Sequence, residues 1–139
     1  MNIIFREATE KDYLDIISFH KTENWGMDTP STLKNFQETK NLIIACEQEG
    51  KIIGKMDIMH KKRAGREFLY VERVYILPDS RRQGIAKQFL AYAESECKKR
   101  GLHLIELAVR EENIPARKLY ESSGFKELGK KIYLQKKMK

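Results

Sequence analysis

The segment from Ile76 to Ala86 combines residue types that can bind an anion. It predicts the end of a strand, a short polar loop and the start of a helix, and it contains Arg81, Arg82 and Gly84. The first N–H groups of a helix lack partners and the helix dipole adds positive charge, so such a turn can bind phosphate. The spacing is neither a P-loop nor GxGxxG. An ordinary strand-to-helix turn is the alternative.

The charge distribution also indicates an anionic partner. The formal net charge is +7, and residues 1–70 hold 11 Lys/Arg and 11 Asp/Glu, whereas residues 71–139 hold 16 and 9. A basic half can meet nucleic acid or a polyphosphate ligand, or it can be a solvated surface. No zinc spacing, RNA-binding aromatic pattern or recognition-helix arrangement accompanies it.

The elements that must position this segment predict one α/β (α+β) domain, residues 1–139. Apolar runs and turn residues give the order βααβββ, then αβαββ. The predicted strands are Asn2–Glu7, Leu42–Cys46, Lys51–His60, Phe68–Leu77, Leu102–Val109, Phe125–Leu128 and Ile132–Leu134. The predicted helices are one capped at Thr9, Thr32–Thr39, Gly84–Arg100 and Ile114–Ser123. This order predicts a single mixed, mostly antiparallel twisted sheet with a central parallel βαβ crossover and helices on both faces.

Several protein classes are excluded by composition. No window approaches the ~18 apolar residues of a membrane span, and the N-terminus lacks the pattern of a signal peptide. Cys46 and Cys97 form no CxxC and have no nearby His cluster. We therefore expect reduced, buried thiols, a cytoplasmic location, no disulfide and no metal site.

Two motifs resemble those of the GNAT superfamily of N-acetyltransferases. One is Arg81-x-x-Gly84-x-Ala86, which is similar to the family's acetyl-CoA signature Q/R-x-x-G-x-G/A after the fourth strand. The other is Asn113-Ile-Pro-Ala116-Arg-Lys-Leu119-Tyr120-Glu-Ser-Ser-Gly124-Phe125, which resembles N-x-x-A-x-x-x-Y-x-x-x-G-F. The opening Ile4–Asp12 also resembles the family's first strand and helix cap, so the resemblance covers essentially the whole chain.

The resemblance implies a GNAT-like acyl-CoA N-acyltransferase fold. It also implies an enzyme that moves the acetyl group of acetyl-CoA, its co-substrate, to a primary amine of a small molecule or peptide. Backbone groups of Val74, Tyr75 and Ile76 are then expected to pair with the pantetheine arm, and Asn113 to contact that arm or position the next helix. The pyrophosphate is expected on the backbone of Arg82, Gln83, Gly84, Ile85, Ala86 and Lys87.

Two side chains are candidates for the proton transfers that acetylation of an amine requires. Tyr120 matches the family position of the acid that protonates the departing thiolate, and a core tyrosine is the alternative. Glu72 is the candidate base. Alternation puts it on one face with Val74 and Ile76 unless a bulge intervenes, and a surface glutamate is the alternative. By resemblance, the N–H of Ile76 is the oxyanion donor. The weaker candidate bases are Glu106, His60 and His103.

The acceptor is not identified by the sequence. The region Ser18–Thr39, which contains Trp25, is expected to line the acceptor side. The basic loop Lys61–Arg66 favours an anionic acceptor, whereas Glu72 together with Glu23 and Asp28 favours a polycation. A catalytically silent CoA-binding regulatory module is an alternative function, and a nucleic-acid-binding protein is a weaker one. The sequence does not determine the oligomeric state, and a homodimer is an alternative because dimers are common in similar proteins.

Overall fold

The computed structural model describes residues 2–23 and 40–139, whose strands form one open mixed sheet. The strands are β1 (Ile3–Glu7), β2 (Leu42–Gln48), β3 (Lys51–Arg63), β4 (Arg66–Ile76) and β5 (Ile105–Leu107). They lie side by side in chain order. The pairs β1–β2, β2–β3 and β3–β4 are antiparallel, and the pair β4–β5 is parallel. The helices are α1 (Tyr13–Thr22), α2 (Ile85–Lys99) and α3 (Ile114–Ser122). Helix α2 makes the crossover between the parallel strands, as predicted.

Helices cover both faces of the sheet. On one face Phe89 of α2 is fully buried among apolar side chains of β2, β3 and β4. On the other, Phe19 of α1 stacks on Tyr75 of β4 with ring centroids 4.8 Å apart. Strand β2 supplies side chains to both cores alternately, with Ile43 facing α1 and Ile44 facing α2. The strand therefore reads as a continuous apolar run rather than an alternating one.

The entry to α1 is held by an ion-pair network around Asp12. The Asp12 carboxylate accepts hydrogen bonds of 2.8 and 3.0 Å from Arg6 and one of 2.8 Å from the N–H of Thr9. Arg6 also donates to Glu47 at 2.9 Å. The hydrogen bonds from Arg6 hold the pKa of Asp12 below its usual value. The capping interaction predicted at Thr9 is confirmed. The network around Asp12 links β1, β2 and α1.

The strands β3 and β4 run further than predicted. The segment Lys61–Gly65 is not a basic loop, because only residues 64 and 65 form the turn. Two cation–π contacts support the extension: Lys61 lies 4.1 Å from the ring centroid of Tyr70, and Arg63 lies 4.7 Å from that of Phe68. Strand β5 is shorter than predicted. The predicted helix Thr32–Thr39 lies outside the described residues.

The chain divides into two compact units, Met1–Ala108 and Val109–Lys139. In the second unit α3 is capped by Asn113, whose Oδ1 accepts from the N–H of Ala116 at 3.3 Å. The predicted strands Phe125–Leu128 and Ile132–Leu134 are wrong, because residues 125–139 form no strand. Alternating apolar residues favour an extended backbone, but a strand also needs a neighbouring strand whose backbone groups can pair with its own. The single domain expected over residues 1–139 stays a prediction.

Both cysteines are buried free thiols. Cys46 lies in β2 and Cys97 in α2. Burial raises the pKa of Cys46 to about 11, so its thiol is a weak nucleophile near neutral pH. Over residues 2–23 and 40–139, no helix has the length and hydropathy to cross a membrane.

Candidate active site

Strand β4 is irregular where the sequence predicts the reacting atoms to lie. Between two regular pairs of residues, Met56 of β3 stands opposite both Arg73 and Val74 of β4. The flanking pairs are Lys55 with Tyr75 and Asp57 with Glu72. Two residues opposite one make a β-bulge. Arg73 has φ 49°, in the left-handed region that is strained for an L-residue with a long side chain.

The bulge changes which side chains share a face. Val74 and Ile76 pack against the core on the α2 side, whereas Tyr75 belongs to the core on the α1 side. Glu72 pairs with Asp57, which in turn pairs with Ile43 of the α1-side core. Glu72 is therefore on the α1 face. Alternation was expected to put it with Val74 and Ile76 unless a bulge intervened, and the extra residue of the bulge puts it on the opposite face.

Within residues 2–23 and 40–139, no strand pairs with the end of β4 on the β5 side. The parallel ladder runs only from the pair of Leu69 with Ile105 to the pair of Val71 with Leu107. The edge of β4 from residue 72 to residue 76 continues beyond it. Backbone groups along such an edge can hydrogen-bond to an extended ligand as to another strand.

A close backbone approach fixes the other edge of the same segment. Gly54 of β3 pairs with Ile76, and a Cβ on Gly54 would lie 2.7 Å from the carbonyl oxygen of Tyr75. A larger residue would push the strands apart. On the loop side, Nε of Arg81 donates to the carbonyl oxygen of Ile76 at 2.7 Å. The side chain of Arg81 therefore ties the loop to β4.

The N-terminus of α2 has the features of an anion site. Gly84 is the N-cap, with φ 76° and no side chain to cap the helix. The first intrahelical bond runs from the N–H of Gln88 to the carbonyl of Gly84 at 3.1 Å. The N–H groups of Ile85, Ala86 and Lys87 come before this first donor and therefore have no acceptor within the helix. A Cβ on Gly84 would meet no atom within 4 Å, so the space in front of it is open.

Four charged residues lie next to one another on β3 and β4 around the bulge. Lys55 Nζ donates to Asp57 Oδ1 at 2.6 Å, with both side chains buried. Burial lowers the pKa of Lys55 and raises that of Asp57. Asp57 Oδ2 has no hydrogen-bond partner among the described residues. Arg73 Nη1 lies 3.8 Å from Asp57 Oδ2 and 3.8 Å from Glu72 Oε1. The Glu72 side chain is 32% exposed, so solvent reaches it.

The weaker base candidates have other partners or sites. Glu106 accepts two hydrogen bonds from the guanidinium of Arg63 across the sheet. His60 Nε2 lies 3.3 Å from a Glu67 oxygen, and its Nδ1 lies 2.9 Å from Arg100. His103 is exposed in the connection before β5. In residues 2–23 and 40–139, no three His, Cys, Asp or Glu side chains cluster as metal ligands.

Tyr120 and Asn113 lie in the second unit. The Tyr120 ring packs edge-on to Phe125 with centroids 5.9 Å apart, and burial raises the pKa of Tyr120 above its usual value. The phenol therefore stays protonated near neutral pH. Their predicted roles toward the cofactor and the thiolate stay predictions. Trp25 and Asp28, expected on the acceptor side, lie outside the described residues.

The comparisons with known proteins decide the family. A model described as the acetyltransferase (GNAT) family matches residues 7–125. The chain belongs to the GNAT acetyltransferase family. No curated protein matches it. The matched range includes β4, the loop, α2 and α3, so both motifs lie within it.

Solved structures share the fold of this member of the GNAT family. A transcriptional regulator from Bacillus halodurans C-125 is 25% identical, with TM-score 0.82 over 96% of this chain and 99% of that one. A predicted acetyltransferase with acetyl-CoA from Clostridium acetobutylicum is 22% identical, with TM-score 0.76 over 96% of each chain. AAC(6′)-Iy in complex with the bisubstrate analog CoA-S-monomethyl-acetylneamine is 20% identical, with TM-score 0.80 over 99% of this chain and 100% of that one.

Three features of this GNAT site were missed from the sequence. The bulge at Arg73 depends on strand register, which no local pattern encodes. The close approach at Gly54 depends on which strand lies beside it. The buried pair of Lys55 and Asp57 left a signal: two opposite charges two residues apart stand in the otherwise apolar run from Ile52 to Met59. Such a pair lies on one face of a strand.

Proposed function

We propose that this GNAT acetyltransferase moves the acetyl group of acetyl-CoA to a primary amine of a small molecule or peptide. One observation carries the proposal. In the part of the chain that the structure describes, the edge of β4 beyond its pairing with β5 is followed, after the loop of residues 77–83, by a helix N-terminus without a side-chain cap, and Glu72 lies at a bulge on the same strand. An extended thiol arm with a pyrophosphate at one end and a thioester at the other has the chemistry that this arrangement can bind.

The fit to acetyl-CoA rests on backbone groups. The pyrophosphate is assigned to N–H groups between Arg82 and Lys87, where the space beside Gly84 is open and the helix dipole favours negative charge. The pantetheine arm is assigned to the edge of Val74, Tyr75 and Ile76. Acetyl-CoA supplies the activated acetyl thioester, and neighbouring proteins of the same fold include an acetyl-CoA complex.

The chain's own residues would move protons around the transfer. Glu72 accepts the proton that the acceptor amine loses as its C–N bond forms, directly or through water, because its carboxylate is partly exposed beside the bulge. The N–H of Ile76 donates to the acetyl carbonyl oxygen. Tyr120 gives its proton to the sulfur as the C–S bond breaks. The products are an acetylated amine and a free thiol.

A turnover assay across amine classes tests the proposal. Thiol release from acetyl-CoA is followed with alkyl monoamines, polyamines, amino acids, aminoglycosides and short peptides, and each product is identified by mass. Thiol release that depends on one amine class, with a product heavier by one acetyl group, supports the proposal. Acetyl-CoA binding without turnover on any amine would instead favour the catalytically silent module.

A further inference from the structure

The charges around the β4 bulge cancel within the protein. Asp57 and Glu72 stand opposite each other on adjacent strands of the α1 face. Their countercharges are Lys55, 2.6 Å from Asp57, and Arg73, 3.8 Å from both carboxylates. The buried Lys–Asp pair has zero net charge whether the proton sits on nitrogen or on oxygen. The remaining pair, Glu72 with Arg73, also sums to zero.

Arg73 is the cation that forms an ion pair with Glu72, and the charge of Glu72 also acts on the buried Lys55. Its Nη1 is equidistant from Asp57 Oδ2 and Glu72 Oε1, beyond hydrogen-bond range of each. Its side chain is 35% exposed, whereas Lys55 is fully buried. The Arg73 guanidinium lies between the two carboxylates. An acceptor with a second ammonium group would place that group in the same position. The bulge fixes this placement, because it lets residue 73 stand next to both acids.

We propose that Arg73 determines acceptor specificity by neutralising Glu72 and Asp57, so that the enzyme favours acceptors with a single positive charge over polycations. This rests on the proposed function, since it takes Glu72 to face the acceptor. Without Arg73 the two carboxylates and the one buried cation leave a net negative charge. A carboxylate within ~4 Å of a cation near a protein surface interacts strongly enough to change affinity by tenfold or more.

The test compares two acceptors that differ by one terminal amino group, and the change in their ratio between protein variants isolates the effect of its charge. They are n-butylamine and diaminobutane, measured at a pH where every amino group is protonated in solution. For each protein, the ratio of kcat/KM for the diamine to kcat/KM for the monoamine is taken. Arg73→Gln is expected to raise this ratio about tenfold over the unchanged protein. An unchanged ratio in Arg73→Gln would overturn the proposal.

Two matched variants separate charge from other effects. Arg73→Lys keeps the cation and the same backbone strain, so it is expected to keep the original ratio. Arg66→Gln removes one positive charge from the exposed first residue of the same strand, and it too is expected to leave the ratio alone. A rise of the same size in Arg66→Gln would show a general charge effect and would contradict the role of Arg73.

Binding of the same two amines, followed by ligand-observed NMR, keeps the two proposals apart. If no variant shows turnover but Arg73→Gln gains about tenfold in preference for binding the diamine, the proposed reaction fails and the role of Arg73 stands. If turnover is seen and the preference is the same in all four proteins, the reaction stands and the role of Arg73 fails. Absence of both effects would overturn both.

Discussion

At the scale of single residues, Glu72 is the side chain whose chemistry the proposed reaction needs most. Glu72→Gln keeps the size and removes the proton acceptor. We expect kcat/KM for the amine to fall about 100-fold or more, the range that general base catalysis contributes, and its pH profile to flatten. Acetyl-CoA affinity is expected to change little.

The control for Glu72 is Glu106→Gln, which changes the rival carboxylate paired with Arg63. Its pH profile is expected to match that of the unchanged protein. A profile that stays the same in Glu72→Gln and flattens in Glu106→Gln would move the base to β5.

Tyr120 is the second residue with an assigned proton transfer. Tyr120→Phe removes the hydroxyl and keeps the ring that contacts Phe125. Because the hydroxyl is assigned to the departing thiolate, we expect kcat to fall about 100-fold while the Kd for acetyl-CoA stays within about twofold. Tyr133→Phe, at an exposed tyrosine of the same unit, is the matched control. Equal kcat in both variants would remove the acid role.

The ion pair of Asp12 is expected to affect the free energy of unfolding rather than catalysis. The hydrogen bonds from Arg6 lower the pKa of Asp12 in the folded state. Its stabilisation is therefore fully present above the pKa of the unfolded chain and is lost as pH falls through the folded value. Asp12→Asn is expected to lower the free energy of unfolding at pH 7 by about 2 kcal/mol, and the difference should shrink toward pH 3.

Denaturant unfolding at several pH values measures this difference. Asp15→Asn, at an exposed carboxylate in the first turn of α1, serves as the control, and its effect is expected to be small at every pH. A deficit in Asp12→Asn that persists unchanged at pH 3 would show that the charge of Asp12 is not the cause.

At the scale of elements, the N-terminus of α2 carries the phosphate assignment. Gly84→Asp puts a carboxylate where the pyrophosphate is assigned. The carboxylate would compete with the pyrophosphate for the helix N-terminus, an interaction worth up to ~2 kcal/mol to an anion, so we expect the Kd for acetyl-CoA to rise about 30-fold. Calorimetric titration measures it. Unchanged affinity would remove the assignment.

The other end of the same helix offers a control for backbone strain. Gly101 has φ 69° and, like Gly84, open space around its Cβ position. Gly101→Asp therefore has a similar conformational cost without approaching the assigned ligand. It is expected to lower stability at least as much as Gly84→Asp does, because a carboxylate is unfavourable at the C-terminal end of a helix, but to leave acetyl-CoA affinity unchanged.

The elements also show which parts of the structure local sequence can specify. The cap at Thr9 and the helix α2 were predicted because their signals are contained within a short stretch of sequence. The bulge at Arg73 was not, because it arises from the register between β3 and β4. The C-terminal strands were wrong because alternation says nothing about the edge that a strand must pair with.

At the scale of the whole molecule, the mixed sheet with its parallel crossover and the family were predicted from the sequence, and the acceptor chemistry was not. The strands and helices in chain order leave few arrangements of a sheet, and the two motifs resembled the family that the comparisons established. The charges around the bulge come from β3 and β4 together. Lys55, Asp57 and Arg73 meet only in the folded protein, so the sequence did not show which cations lie beside Glu72.

Transfer of the acetyl group to an amine can be tested directly with the whole protein. Acetyl-CoA labelled with carbon-13 at the acetyl carbonyl is incubated with the protein and the amine that gives the fastest thiol release, and the label is followed by NMR. The account predicts that the thioester signal is replaced by an amide signal, with one amide formed for each thiol released. Thiol released together with labelled acetate, and no amide, would show hydrolysis of the thioester and would contradict acetyl transfer to an amine.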